Sequence, residues 1–251
     1  MLITSESTAT RKLARVSGVM HKGGNMTDWQ EFCEAIPWFL NHDAKVKVSE
    51  ESSQLTFSIN IENQLPLLTQ LLKRATVTGI TIENVNYNLL AWDSLDSHRL
   101  GWLSLAPNAE TADIEIIPLH KELLASFGGV IERFNESDDT WLLNTNEFLT
   151  AKKASNDATF IEDYLWAFED EGIEIPIVLE NFYCVLREAN GNTTLCHKKT
   201  GQILFFATDH SFDHITPVQG CPEYTLYDIA GSENFITWVE SIAQQWLNKI
   251  A

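Results

Sequence analysis

The chain has 251 residues, 44% of them hydrophobic, and a formal net charge of −18 at pH 7 with a sequence pI near 4.6. This length and apolar content predict one large or two ordinary globular domains. The negative charge argues against a nucleic-acid ligand, whose phosphates require a basic surface. No apolar run approaches the roughly 18 residues of a membrane span. We therefore predict a cytoplasmic protein that binds neither nucleic acid nor membrane.

The first 25 residues differ in composition from the rest of the chain. They hold four Lys and Arg against one acidic residue, are rich in Ser and Thr, and show no apolar periodicity. The Lys-Gly-Gly stretch at 22–24 back-translates to a purine-rich ribosome-binding sequence just upstream of Met26. We expect residues 1–25 to be a disordered, dispensable leader that is absent from the natural product, with a transit peptide as the competing interpretation.

Residues 26–107 are predicted to form a small α+β unit. Thr27 to Gln30 match a capping box, and Pro37 should end the helix that follows. Alternating apolar residues at 46–61, around a Glu-Glu-Ser-Ser turn, are typical of a β-hairpin. A leucine-rich helix at 64–75 and strand-like segments near 76–85, 89–92 and 100–105 complete the unit. No phosphate-binding loop or catalytic triad pattern appears in it.

A domain boundary is predicted at residues 106–113, which combine Pro, Asn and charge without periodicity. The second unit, residues 113–251, opens with a helix from Pro118 to Phe127. Gly128 is expected to adopt the left-handed conformation that ends a helix, and Gly129 to turn the chain into a strand beginning near Val130.

The rest of the second unit is predicted as alternating short elements followed by a sheet. In order these are a strand within 138–149, an amphipathic helix at 160–172 ending at Gly172, a strand at 175–180 and an antiparallel meander at 182–209. Asn190-Gly191 predicts a type I′ turn in the meander. Ser232 is expected to cap a C-terminal helix that packs on the sheet. The fold class is therefore α+β, a mostly antiparallel sheet with flanking helices.

The four cysteines match neither a zinc signature nor a disulfide-stapled secreted domain, so free thiols are predicted at Cys33, Cys184, Cys196 and Cys221. With a two-residue turn the numbers of opposed residues add up to 190 + 191 = 381, which sets Cys184 opposite His197 and Cys196 opposite Val185. The two thiols then lie on different faces of the sheet. A three-residue loop centred on Asn190 would instead pair them directly.

Four segments of the second unit, in order, resemble a known family. They are the helix ending in Gly-Gly at 118–129, the meander with its Thr-Gly-hydrophobic strand and Asp-His at 182–210, the irregular connection from 215 through 221–230, and the helix with Phe and Trp at 232–242. This ordered set is similar to the SUKH superfamily, whose α+β domains occur in bacterial immunity proteins, cell-wall regulators and intracellular scaffolds. The family's glycine-rich entry to the meander is replaced by Val-Leu-Glu-Asn at 178–181, and residues 26–107 lie outside the resemblance.

The resemblance implies a non-catalytic binding protein without a cofactor, and first of all an immunity protein that neutralises a bacterial polymorphic toxin. The acidic balance agrees, because nuclease toxins need basic surfaces that a complementary acidic protein can block. Two acidic clusters are the candidate partner-binding residues: Glu136, Asp138 and Asp139, and Glu169, Asp170, Glu171 and Glu174. Solvated surface charge is the alternative for both clusters, and an intracellular scaffold is the alternative function. The sequence does not identify an aromatic anchor.

One further segment supports a third hypothesis, a metal-dependent hydrolase. Asp209, His210, Asp213 and His214 place two histidines four residues apart, as on a metal-binding helix face. The segment follows an apolar strand and contains no further Glu or Cys at ligand spacing. We therefore predict no metal site and no enzymatic activity.

Overall fold

Eleven antiparallel strands form one sheet in the computed structural model, which describes residues 26–96, 98–107, 113–135, 147–209 and 213–251. In chain order the strands are β1 (Val46–Ser53), β2 (Thr76–Ile82), β3 (Val85–Asp93), β4 (Arg99–Leu105), β5 (Val130–Phe134), β6 (Glu147–Phe148), β7 (Phe182–Arg187), β8 (Thr193–His197), β9 (Ile203–Phe206), β10 (Ile215–Pro217) and β11 (Leu226–Ile229). Across the sheet β1 to β9 follow one another and are succeeded by β11 and β10. Short connections join β2 to β3, β3 to β4, β7 to β8 and β8 to β9, as antiparallel neighbours allow. The predicted α+β class is confirmed at this level.

Seven α-helices accompany the sheet within the described ranges. They are α1 (Asp28–Ala35), α2 (Ile59–Gln64), α3 (Pro66–Lys73), α4 (Pro118–Leu124), α5 (Ala151–Ala154), α6 (Leu165–Glu169) and α7 (Phe235–Leu247). Two 3₁₀ segments span Ala158–Tyr164 and Leu179–Asn181. None of the helices in these ranges combines the length and the apolar character that a membrane crossing requires. The predicted leader at 1–25 lies outside the described residues.

The start of the first unit is partly as predicted. The capping box of α1 is confirmed: the Gln30 backbone N–H donates to the Thr27 hydroxyl oxygen at 3.3 Å, and the Gln30 side chain accepts from the Thr27 backbone N–H at 2.8 Å. The predicted hairpin at 46–61 is wrong, because residues 54–58 form no strand, residues 59–61 begin α2, and β1 pairs with β2 instead. Ile61 is buried while Ile59 is 72% exposed, so the apolar alternation does not continue to the end of this segment.

The glycine pair after α4 serves close packing of the backbone. Gly129, not Gly128 as predicted, has the left-handed conformation, with φ +84°. A Cβ on Gly129 would lie 2.4 Å from the Leu149 carbonyl oxygen, and one on Gly128 would lie 2.5 Å from the Ala106 carbonyl oxygen. Helix α4 itself ends earlier than predicted, at Leu124. The predicted strand near Val130 is confirmed as β5.

The predictions for the later elements are confirmed in part. The meander is confirmed as β7, β8 and β9, whereas residues 175–180 are not a strand, since Pro176 lacks a donor for a ladder and a 3₁₀ turn follows. The predicted helix at 160–172 is a 3₁₀ segment followed by α6. Helix α7 is capped by Asn234 rather than Ser232, because the Asn234 side chain accepts from the Thr237 backbone N–H at 3.1 Å. The predicted strand at 138–149 lies mostly outside the described residues, which show β6 at its end.

The β7–β8 register differs from the predicted one. Gly191, with φ +98°, closes a three-residue loop in which the Glu188 N–H donates to the Asn192 carbonyl at 2.8 Å. A bulge between residues 184 and 186 then shifts the register, so that Cys184 faces Leu195 and Cys196 faces Tyr183. The two cysteines belong to different core clusters, which confirms their placement on opposite faces.

All four cysteines are free thiols in the structure. We expect thiol titration of the denatured, unreduced protein to give four reactive cysteines per chain, because Cys184 and Cys196 cannot meet through the sheet between them. A denatured sample reduced beforehand is the control. A lower value in the unreduced sample than in this control would contradict the prediction.

The two predicted units share a sheet and a core. Strand β4 pairs with β5 across the predicted boundary, and the largest core cluster takes residues from both sides of it. At its centre Trp102 lies 5.3 Å from Trp92 and 4.9 Å from Trp246, measured between ring centroids. The Glu240 carboxylate of α7 accepts from the first backbone N–H groups of α3, Leu67 at 2.9 Å and Leu68 at 3.0 Å. It thus satisfies donors that a helix leaves unpaired at its N-terminus.

A smaller core cluster lies on the other face of β7, β8 and β9. It consists of Ala158, Ile161, Phe168, Leu179, Phe182, Cys184, Leu195, Leu204, Phe206 and Leu226. The 3₁₀ segment Ala158–Tyr164 and α6 cover this part of the sheet. The residues that directly follow α6 therefore lie at the edge of this smaller core.

Candidate functional site: an acidic groove with aromatic walls

A groove of about 630 Å³ opens between α6 and the connection that leads into β11. It is lined by Tyr164, Trp166, Ala167, Asp170, Glu171, Ile173, Thr208, Pro222, Glu223 and Tyr224. We call it the α6 groove. Its volume lies in the range of about 300 to 1,000 Å³ that is usual for ligand sites.

The first wall is held by the end of α6. Gly172, with φ +67°, donates its N–H to the Glu169 carbonyl at 2.9 Å, and Ile173 donates to the Phe168 carbonyl at 3.0 Å. This pair of bonds is a Schellman motif, in which an apolar contact between the flanking residues is usual. Phe168 and Ile173 supply that contact in the smaller core. The predicted stop at Gly172 is confirmed, and it fixes the two acidic residues before it on the groove rim.

The second wall is a tight turn at 222–225. The Tyr224 N–H donates to the Tyr227 hydroxyl oxygen at 2.5 Å, and the Thr225 hydroxyl donates to the Pro222 carbonyl at 2.6 Å. The Thr225 carbonyl in turn accepts from the Ala207 N–H at 3.0 Å. Tyr224 itself has φ +63°, a conformation that costs a non-glycine residue about 1 kcal/mol. These bonds hold its ring at the groove rather than in the core.

Aromatic rings beneath the groove make its base rigid. The buried Phe206 meets Tyr164 at 5.1 Å and Phe160 at 5.6 Å between ring centroids, both edge to face. Edge-to-face pairs of this kind are favourable beyond the area they bury. In contrast, Trp166 is 61% exposed and Tyr224 is 48% exposed. Large aromatic surfaces open to solvent beside a groove are typical of a binding site.

The charged side chains that line the α6 groove in the described residues are all acidic. Three carboxylates line it, those of Asp170, Glu171 and Glu223. Residues 154–186, which supply the first wall, contain eight Asp and Glu and no Lys, Arg or His. Residues 200–248, which supply the second, contain six Asp and Glu and no Lys or Arg. The groove is therefore built from two stretches that lack permanent positive charge.

Comparison with protein-family models, curated proteins and solved structures gives no match. The chemistry of the groove must therefore be taken from its own residues.

The structure places part of the predicted partner-binding set at this groove. Asp170 and Glu171 line it, while Glu169 and Glu174 are exposed next to it. The other cluster, Glu136, Asp138 and Asp139, lies outside the described residues. The two aromatic walls were not predicted, since Trp166 appeared to be one apolar residue of an amphipathic helix. The absence of Lys and Arg over two long stretches was the signal in the sequence that could have located the groove.

The predicted hydrolase residues do not form a helix face in the described residues. Asp213 and His214 lie in a turn directly before β10, and His210 lies outside the described residues. Asp209 accepts a hydrogen bond from the Asn190 side chain at 3.0 Å, which ties it to the β7–β8 loop. In the described part of the chain, no group of three or more His, Cys, Asp or Glu residues could hold a metal ion.

A buried polar centre lies under α4, away from the α6 groove. His120 is fully buried, with Nε2 3.3 Å from the Leu149 carbonyl oxygen and Nδ1 3.1 Å from the Tyr183 hydroxyl. The carbonyl can only accept, so Nε2 carries the proton and Nδ1 accepts from Tyr183. Burial lowers the pKa of His120 to about 4. Burial also raises the pKa of Tyr183, so both groups are neutral around pH 7. Both side chains are fully buried, so this centre belongs to the core.

Proposed function

We propose that this protein is a non-catalytic binding protein of the bacterial cytoplasm. It neutralises a polymorphic toxin delivered by a competing cell, and its residues 113–251 are a SUKH-like domain. The α6 groove supports this proposal because it joins exposed aromatic surface to three carboxylates, with no Lys or Arg in its described lining. A toxin that acts on nucleic acid carries a basic surface, which such a groove complements.

The two properties of the groove have separate roles in this proposal. Aromatic residues supply most of the binding free energy at many protein interfaces, because they bury a large area with few rotatable bonds. Charged residues at the rim mainly accelerate encounter and exclude wrong partners. Trp166 is therefore the candidate anchor, and Asp170, Glu171 and Glu223 are the residues that select a basic partner. No residue of the groove needs a catalytic role.

Co-expression tests the proposal directly. A toxic domain encoded by the neighbouring gene is expected to stop growth, and the wild-type protein is expected to restore it by binding the toxin. Trp166→Ala should weaken that complex by about 2 kcal/mol, the loss typical of an exposed aromatic anchor, which raises the Kd about thirtyfold. Calorimetry on the purified pair gives the Kd.

The matched control is Trp38→Ala, which removes another exposed tryptophan, 71% exposed and far along the chain from the groove segments. It should bind the toxin and restore growth as the wild type does. A wild-type protein that neither binds nor protects against the neighbouring toxin would reject the immunity function. Binding without protection would favour the alternative, an intracellular scaffold.

A further inference from the structure

We infer that the α6 groove receives an arginine-bearing segment of the partner protein, with a guanidinium group placed against Trp166 and Tyr224. The inference rests on the proposed function, since it names the chemistry of the partner at the same groove.

The charges lining the groove select a cation. The side chains of Asp170, Glu171 and Glu223 line it, and no Lys or Arg does among the residues that the structure describes. An anionic ligand would meet repulsion from all three carboxylates. A bare metal ion is also a poor fit, because the described carboxylates do not form a group that could hold one. An organic cation on a flexible side chain satisfies both conditions.

The aromatic walls select a flat cation. Cations are attracted to the face of an aromatic ring, with Trp the most effective residue. Arginine fits better than lysine here, because its guanidinium is planar, stacks on rings, is weakly hydrated and can bind a carboxylate through two parallel hydrogen bonds. Trp166 and Tyr224 supply exposed ring surface, and the three carboxylates supply acceptors in the same groove.

The protein contains one such contact of its own close to the groove. The Arg187 guanidinium carbon lies 5.2 Å from the centroid of the Phe160 ring. Phe160 in turn packs edge to face against Phe206, as Tyr164 of the groove does. The aromatic cluster that includes Tyr164 of the groove thus already holds an intramolecular arginine. The exposed rings present the same type of surface to a partner.

A labelled peptide provides the test without knowledge of the toxin. The probe is a fluorescein-labelled heptapeptide of alternating glycine and arginine, and its matched versions carry citrulline, which has the same shape but no charge, or lysine. Fluorescence anisotropy should show binding of the arginine peptide, with a Kd about tenfold higher for the citrulline peptide and about threefold higher for the lysine peptide. Trp166→Ala and Tyr224→Gly should each raise the Kd of the arginine peptide about tenfold.

Both variants are expected to fold as the wild type does. Trp166 is exposed, and Tyr224→Gly keeps the backbone N–H that donates to Tyr227 while accommodating the positive φ. Melting curves of both variants should therefore match the wild type within a few degrees. Trp38→Ala is the control with unchanged affinity.

The outcomes separate this inference from the proposed function. Equal binding of the arginine peptide by wild type and Trp166→Ala would overturn the inference, because attraction would then come only from the net charge of −18. Equal binding of the arginine and citrulline peptides would overturn it as well. Groove-dependent and arginine-selective binding would support it, even if co-expression failed to protect against the neighbouring toxin. If the wild type protected against the toxin but bound the three peptides equally, the immunity function would stand and the inferred arginine contact would be overturned.

Discussion

Between pH 7.5 and pH 5, the wild-type protein is expected to lose about 2 kcal/mol more stability than its His120→Gln variant. His120 is fully buried, and burial lowers its pKa to about 4 from an ordinary value of 6.5. In the unfolded chain the imidazole takes up a proton near pH 6.5, while in the folded protein it does so only near pH 4. The unfolded state therefore binds more protons between these values, and stability falls as the pH falls.

The sign and size of this effect follow from the two pKa values. The contribution of His120 is fully present above about pH 6.5 and disappears as the pH approaches 4. Over the whole window it amounts to about 3 kcal/mol, of which about 2 kcal/mol is lost by pH 5. Glutamine is the matched replacement, because its amide can donate to the Leu149 carbonyl and accept from Tyr183 without titrating.

The difference between the two proteins is the quantity to measure. Glu188 has a pKa raised to about 7 by burial, so it favours the folded state as the pH falls and opposes the effect of His120. This and the other carboxylate contributions are common to wild type and variant and cancel in the difference. Urea unfolding followed by tryptophan fluorescence at low protein concentration, above the pI of about 4.6, gives both free energies.

A constant difference across this pH range would contradict the prediction. If His120→Gln does not fold, the proton NMR titration of the imidazole in the wild type answers the same question. A ring that titrates near pH 6.5 would show that His120 is not held neutral by the core. No titration down to pH 5 would support the buried, neutral ring.

Local chemistry accounts for the elements that the sequence predicted well. The capping box at Thr27 and the stop at Gly172 depend on side-chain and backbone groups only a few residues apart. The meander β7–β9 has continuous apolar runs between turn residues, and this pattern is also local. These signals do not depend on contacts with distant parts of the chain.

Distant packing decided the elements that the sequence predicted wrongly. Ile59 and Ile61 continue an apolar alternation, yet Ser58 caps a helix there and only Ile61 enters the core. The β7–β8 register depends on a bulge that the residue types do not predict. The negative charge of the α6 groove could be predicted from the sequence. That residues near 166 and 224 lie together could not, because this depends on the packing of distant segments.

Gly129→Ala is expected to destabilise the protein by about 3 kcal/mol, for two reasons that act together. Gly129 has φ +84°, which costs a side chain about 1 kcal/mol. Its new Cβ would also lie 2.4 Å from the Leu149 carbonyl oxygen, so the backbone near β6 must move. Gly172→Ala is the matched control, because Gly172 has φ +67° but no heavy atom within 4 Å of the added Cβ. It should cost only about 1 kcal/mol.

The carbonyl that Gly129 approaches is the acceptor for His120, so the two sites are coupled. A displaced Leu149 carbonyl no longer holds the Nε2 proton of His120, and the hydrogen bond is lost before the histidine is replaced. The double variant Gly129→Ala/His120→Leu should therefore lose less stability than the sum of the two single losses, by about 1 kcal/mol, because leucine, unlike glutamine, cannot make this hydrogen bond in either background. Urea unfolding of the four proteins at pH 7.5 measures this coupling. Strict additivity would show that the Leu149 carbonyl stays in place in Gly129→Ala. The close approach of Gly129 to Leu149 would then not couple β5 to the buried histidine.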